Sequence, residues 1–471
     1  MRHGRATSRA LILPCLVPAL QAALAVTMAA AWPVMAGEFV SNQPANAVAG
    51  TLDADSWIVR CPDAEQVLLD AAAVHALNRR MLAAEPSIND LAVLPETMEG
   101  RRIAERIHAL GSLPDRRLHA ADGTLVTADD RRRWLAALSI DTIPANVEPR
   151  YGLVVRRAAV RRFPTRERVL ANPTDADIDA FQETAFFPGT PVAVVHATTA
   201  GDWRFVIGPT YAGWVSDDAI ACGTRDEVLG YADRCSRVVT AARVTTAFTS
   251  ELPAVSQLVL DMGTTLPERH DWPAGSPVNG QSPAASVVVE VPIRGRAGRL
   301  EIVPALVPRA ADTRAGPLPA SRATVLRQAF RFLGERYGWG HDFEGRDCSG
   351  FVCDVYRSVG IVLPRNTRDQ AVCPALAATP VAGDWPRERR LEALEALLPG
   401  DLVFTRRHVM MVVGRDGRGP WVIHDTHEGR TAGAAANGVV VQPLAEVDDG
   451  RVADFLTALV RVLPPPPGQQ P

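Results

Sequence analysis

From residue 149 to 308 the chain is cut into short β-rich runs by Gly, Pro and Asp, and this spacing restricts its middle third to small, closed sheets. The runs LVVRRAAVRRFP, PVAVVHA, WRFVIG and GWVSDDAIA come first; RVVTAARVTTAF, SQLVLDM, ASVVVEVPI and LEIVPALV repeat the style without repeating the wording. They predict two β-barrels in tandem, at 149–230 and 236–308, each of about 70–80 residues. On either side the period changes. Residues 52–148 read as a helical segment, with Val67, Leu68, Ala71, Val74, Leu77 and Met81 on one face and Ile103, Ile107 and Leu110 on another. After the Pro-rich joint VPRAADTRAGPLPAS, residues 321–465 run α then β: the helices TVLRQAFRFLGERY and FVCDVYRSVG, then DLVF, HVMMVVG, WVIHDT and GVVVQPL as an antiparallel sheet. The expected fold class is α+β and multidomain. The tail PPPPGQQP reads as disordered.

Residues 1–36 read as a secretory signal peptide: Arg2, Arg5 and Arg9 open it, an apolar stretch follows, and Val34 and Ala36 occupy the −3 and −1 positions before Gly37. The alternative is an uncleaved anchor, but Pro14, Pro18 and Pro33 interrupt the stretch. Pro14 before Cys15 argues against lipidation. The expectation is an exported protein, periplasmic or secreted, that leaves the membrane once the leader is cut. With 50 basic and 53 acidic side chains and a net charge of −3, nucleic acid is not an expected partner. Seven cysteines without a CxxC pair give neither a disulfide scaffold nor a zinc site, so no metal or cofactor is expected. Cys222 and Cys235 flank the junction between the barrels and could pair in an oxidising compartment.

Chemistry concentrates in YGWGHDFEGRDCSGFVCDVYRSVGIVLPRNT. Asp-Cys-Ser-Gly stands where a Gly-containing loop turns into a helix. A Cys at a helix N-terminus meets unpaired N–H groups and the positive end of the dipole, which favour a thiolate, and its own N–H can donate to an oxyanion. His408 opens an apolar strand, and His424 ends the next strand-like run. Cys348, His408 as base and His424 as the group that orients it make a papain-type set. His427 lies past the strand and is read as solvated, and Cys353 as core.

The motifs YGWG, DCSG, LPRNT, LPGDLVF and HVMMVVG followed by IHDT resemble an NlpC-type papain-like cysteine peptidase domain over residues 321–465. RRFPT, DAFQET, VAVVHA and YAGWV resemble a subgroup with a helical N-terminal stabilising domain and two bacterial SH3-like barrels. The resemblance implies hydrolysis of the bond from γ-D-glutamate to the following diamino acid, in peptidoglycan stem peptides with a free N-terminal L-alanine. It also implies roles. Asp347 and Ser349 would hold the substrate's amine, with the N-cap and a first-turn position as their structural alternatives. Tyr337 would stand near the thiolate and Trp339 in the pocket. Arg365 and Thr367 would contact substrate, and Tyr211 would close one end of the site. Glu183 is a weaker candidate partner for the amine. Two departures stand out: His341 replaces a common Gly and would narrow or polarise the approach, and Met410 replaces another and would fill a core position. A non-catalytic wall-binding protein, or an amidase or acyltransferase on the same core, are the competing readings.

Overall fold

The computed structural model describes residues 50–273, 275–431 and 434–466. The signal peptide expected at 1–36 and residues 467–471 of the tail lie outside them. Among the described residues no helix is long and apolar enough to cross a membrane.

The first barrel is a seven-stranded antiparallel sheet in the order Ile220–Gly223, Arg150–Val154, Pro191–Ala197, Trp203–Ile207, Ala212–Ser216, Ala158–Arg161, Gln182–Phe186. Alternation along these strands sends Phe205, Trp214 and Val195 inward, where they meet Phe163 and Phe181. The helices Gly100–Leu110 and Ala128–Ala137 lay Ile103, Ile107 and Trp134 on the same core. The second of them starts at a capping box, Thr127 and Asp130 each bonding the other's backbone N–H.

The rest of the helical segment goes elsewhere. Ala54–Ile58 and Ala71–Ala84 place Trp57, Leu77 and Met81 in the core of the C-terminal unit. Trp57 is 1% exposed and sits with its ring centroid 5.2 Å from that of Trp421. Residues 52–148 therefore serve two cores rather than forming one of their own. The second β unit is built on the hairpin Ser286–Arg294 and Leu300–Pro308, paired through all nine residues, with Val289, Val291, Ala305 and Val307 inside. Thr313–Ala315 pairs with Arg237–Val239 in a separate small sheet, so the unit runs past residue 308. Cys222 and Cys235 are both unpaired.

The C-terminal unit is a six-stranded antiparallel sheet, ordered Ala377–Pro380, Leu456–Arg461, Leu402–Thr405, Val409–Asp416, Gly419–Thr431, Ala434–Pro443. Its apolar strands bury both faces. Val409, Met411 and Ile423 pack with the helices Arg322–Phe330 and Cys348–Ser358. Met410, Val412 and Val422 pack on the other side with Leu394 and Leu444, which is where Met410 fills its core position. Phe351, Val352 and Val355 of the Cys348 helix are fully buried, each contributing about 1.5–3 kcal/mol.

Arg346 holds this helix to the second β unit. Fully buried, it donates to Asp354 (2.6 Å), Glu335 (2.6 Å) and Asp261 (3.0 Å), and to the carbonyl of Ala242 (3.1 Å). Arg157 of the first barrel reaches the same Asp261 at 2.6 Å.

Candidate active site

Cys348 is the first residue of the helix Cys348–Ser358, and Asp347 is its N-cap, accepting from the amide of Gly350 at 2.7 Å. Asp347 has three further partners: Ser349 Oγ (3.2 Å), the amide of Gly340 (3.0 Å) and the guanidinium of Arg365 (2.7 Å). The N-cap alternative is thus realised, and its carboxylate is already neutralised by a cation. Arg365 is 5% exposed and also donates to Ser349 Oγ (2.9 Å) and to Thr184 Oγ1 of the first barrel (2.6 Å). Buried this far, Arg365 ties the barrel to the loop before the thiol. Thr367 stays at the thiol, its Oγ1 3.7 Å from Cys348 Sγ.

His341 does not line the approach. It is 4% exposed, turned under the first turn of the Cys348 helix, and takes a contact from Arg365 at its Nδ1 (3.1 Å). A Cβ on Gly350 would lie 2.5 Å from its ring, so glycine at 350 is what lets that ring fit. Its backbone is left-handed (φ 62°), a conformation the replaced Gly adopts without strain.

The two histidines meet. His408 Nε2 and His424 Nδ1 are 2.7 Å apart, with the rings edge to face. The amide following His408, that of Val409, faces Cys348 and favours its thiolate, which brings the start of this strand against the helix N-terminus. Burial governs the charges. It pushes the Cys348 thiol up to about 11, with Asp347 adding to the rise, and pulls His408 down to about 4. Burial and the neighbouring His408 hold His424 well below the usual imidazole range. Each group alone is neutral, so an ion pair forms here only by moving the thiol proton to the imidazole, which leaves the net charge of the site unchanged.

The first barrel forms one side. Its strand Gln182–Phe186 docks on the turn before Cys348: Gln182 donates to the carbonyl of Gly340 (2.8 Å), and Trp339 donates through its indole to the carbonyl of Gln182 (2.9 Å). Trp339 remains 38% exposed, an aromatic face at the mouth. Tyr211 donates its hydroxyl to Glu183, whose other oxygen accepts from Arg162 at 2.7 Å. Tyr337 is 5% exposed and stacks on His427 at 5.6 Å between centroids; burial, with Cys348 and Asp347 nearby, raises its hydroxyl far above the usual tyrosine range. His427 is not solvated. It is half-buried, and its Nε2 lies 3.0 Å from Asp175 of the first barrel, because the strand Gly419–Thr431 continues past His424 and carries it there.

Four residues have places here that sequence reasoning did not give them. His341 and Arg365 form a buried support that only the folded loop creates. Gln442, on the last strand, lies beside His424 at 3.1 Å; in the sequence it is one polar residue in an apolar run. Asp425, next to His424, is fully buried, both its oxygens lack a hydrogen-bond partner among the described residues, and burial holds it well above the carboxylate range.

Comparison with known proteins adds the following. Residues 334–446 match the NlpC/P60 family, and residues 168–216 match an SH3 domain of the SH3b1 type. No curated protein matches the chain. Among solved structures, the chain is similar to an NlpC/P60 endopeptidase from Photobacterium damselae subsp. piscicida, with 17% identity, a TM-score of 0.65, and coverage of 84% of this chain and 92% of that one. It is also similar to an NlpC/P60 family protein from Bacillus cereus ATCC 10987, with 21% identity, a TM-score of 0.43, and coverage of 60% and 83%.

Proposed function

The chain carries an NlpC/P60 domain and an SH3 domain, and on that premise we propose that it is an exported cysteine endopeptidase of peptidoglycan. It cleaves the bond between γ-D-glutamate and a diamino acid in stem peptides that start with a free L-alanine. The observation that carries this reading is the meeting of a helix-terminal thiol, a bonded histidine pair and a barrel wall that presents an acid and a tyrosine.

Substrate binding brings the γ-glutamyl carbonyl to Cys348. The thiol proton passes to His408 Nδ1, the nitrogen not engaged by His424, and sulfur attacks the carbonyl carbon. The oxyanion takes a hydrogen bond from the amide of Cys348 at the helix N-terminus. Collapse breaks the C–N bond, and the diamino acid leaves with the proton from His408. Water, deprotonated by the same imidazole, then cleaves the thioester. No step needs a metal or an organic cofactor.

The free amine is assigned to Asp347 and Ser349 beside the thiol and to Glu183 and Tyr211 on the barrel; each carboxylate also carries an arginine, Arg365 on Asp347 and Arg162 on Glu183. Trp339, Tyr337 and Thr367 line the approach to the thiol. Mass spectrometry of products from L-Ala-γ-D-Glu-diaminopimelate is the test. Wild type should release L-Ala-D-Glu and Cys348→Ser should not, because a serine hydroxyl is not appreciably ionised by imidazole alone. Equal cleavage by both would sink the thiol mechanism.

A further inference from the structure

Where both β units meet the C-terminal unit, the chain encloses a cavity of about 230 Å³. The first barrel gives it Phe187 and Pro188, the second β unit Thr264, and the C-terminal unit His341, Arg357 and Leu363. Most of its surface is apolar, and none of Cys348, Tyr337, Thr367 and Tyr211 is among the residues that line it. A dry cavity of about 150 Å³ holds a benzene molecule, so this one has room for a ring and a short arm.

Three side chains of the wall hold hydrogens with no acceptor. A guanidinium only donates, so His341 Nδ1, 3.1 Å from Arg365, must accept. Burial and the charges of Arg365, Arg157, Arg346 and Arg357 keep this ring neutral. Its one hydrogen is therefore on Nε2, which has no partner among the described residues. Thr264 Oγ1 has none either. His341 and Thr264 are only 4% and 5% exposed, so water does not make good the loss. Arg357 is the third. Its Nη2 donates to the carbonyl of Met262 and to Asp354, both at 2.7 Å, while Nε and Nη1 make no hydrogen bond among the described residues. Asp354 is itself divided, its other oxygen accepting from Arg346 at 2.6 Å. The Arg357 guanidinium lies over the Phe187 ring, 4.7 Å from its centroid, with its side chain 29% exposed. A Cβ on Gly263 would stand 2.6 Å from its Nε, so the glycine leaves that edge uncovered.

We propose that this cavity binds a small carboxylate with an apolar body, an aryl or branched-chain acid of about nine or ten heavy atoms, its carboxylate on the free edge of Arg357 and its body against Phe187, Pro188 and Leu363. The unpaired hydrogens of the wall call for an acceptor, which an amine does not bring, and a second cation beside Arg357 and Arg365 would be repelled. A plain hydrocarbon would fill the space and leave the same donors unmade. A charged acceptor on a guanidinium is the stronger kind of hydrogen bond, and the planar fork fits a carboxylate. An occupant touches both β units and the C-terminal unit at once without entering the groove of the thiol. The inference does not depend on the proposed function, since binding is read without turnover.

The test is isothermal titration calorimetry of the full chain with phenylacetate, its neutral isostere phenylacetamide, and acetate. A ligand of this size warrants a Kd of about a millimolar. The charge-assisted contact should set phenylacetate about ten- to a hundredfold ahead of phenylacetamide. Acetate, with no body to bury, should give no saturable heat. Ala232, on the helix Arg225–Asp233, lines the cavity and is exposed, so it stands at the rim. Ala232→Phe should plug the entrance and abolish binding of phenylacetate, and Arg357→Met should bring acid and amide to equal affinity. Circular dichroism of the ligand-free variants checks that each folds; should Arg357→Met fail to, the wild-type comparison of acid with amide and the Ala232 plug still decide. The inference falls if phenylacetate gives no saturable heat, if the amide matches the acid on wild type, or if Ala232→Phe binds as wild type does. It falls too if excess L-Ala-D-Glu displaces phenylacetate, which would put the acid in the groove of the thiol.

Discussion

Replacing Arg346 with methionine keeps an unbranched apolar side chain and removes the guanidinium that lies over the Phe332 ring and that three carboxylates share. Breaking a buried ion pair from one side costs about 3–5 kcal/mol, because the partner charge stays behind without its counter-ion. Here each carboxylate keeps a second cation: Asp354 has Arg357 at 2.7 Å, Asp261 has Arg157 at 2.6 Å, and Glu335 has Arg243 at 3.0 Å. That places the expected loss at the lower end, about 3 kcal/mol, or somewhat more than a hundredfold in the folding equilibrium. The matched control is Arg133→Met. Arg133 and Glu167 also meet at 2.6 Å, but with side chains 53% and 46% exposed, so water screens them and the loss should stay below about 1 kcal/mol. Urea unfolding followed by tryptophan fluorescence compares the two midpoints, and limited proteolysis reports whether the second β unit loosens first. Equal shifts for the two variants, or an Arg346→Met loss under about 1 kcal/mol, would refute the claim that burial sets the difference.

His408→Ala should abolish turnover, whereas His424→Asn should keep much of it, since an amide can still accept from an imidazole N–H; equal collapse of both would mean the roles are misassigned. Acetylating the substrate's L-alanine removes an ammonium whose charge-assisted contacts contribute about 1.5–3 kcal/mol, so kcat/KM should fall by a factor of about ten to more than a hundred. Tyr211→Ala should narrow that gap without abolishing cleavage, and near-equal rates for free and acetylated peptides would exclude a closed end. On pH, the folded His408 titrates near 4 against about 6.5 in the unfolded chain. The unfolded state then binds the extra proton between those values, so stability present above pH 6.5 is lost as pH falls toward 4, by up to about 1.4 kcal/mol per pH unit for this histidine. An acid unfolding curve flat across that window would contradict a buried neutral imidazole.

How much of this was legible in the sequence depended on whether the signal was local. Cys348 at a helix start and His408 at a strand start are local events, readable from a Gly-containing loop, an apolar helix face and an apolar strand. The barrel strands were legible for the same reason, their alternation being a property of a few consecutive residues. The end of the second β unit was not, because Thr313–Ala315 looks like linker until it pairs with Arg237–Val239. Nor was the fate of Arg365, whose partners Asp347 and Thr184 lie 18 and 181 residues away. His427 misled because its Gly-containing surroundings suggest an exposed turn, while the acid it meets, Asp175, belongs to another domain 252 residues earlier. Gln442 carries no pattern at all; only strand pairing brings it to His424.

The burial of Trp57 against Trp421 changes how the chain should be counted. The amide of Leu68 donates to the carbonyl of Ala320, that of Ala323 donates to Ala64, and Asn78 clasps Gly360 and Val362, so residues before and after the barrels are stitched into one body. Topologically the barrels are an insertion. A string of domains hung from a single linker can swing, and a wall built on such a string would wander from the thiol it is meant to face. An insert pinned at both ends to the same body has no free end to swing by. The distance from Tyr211 to Cys348 is then a property of the frame rather than of linker stiffness. Cutting the chain near residue 320 would release no tidy peptidase: it would open a socket where Trp57 had been and leave the wall with one pin.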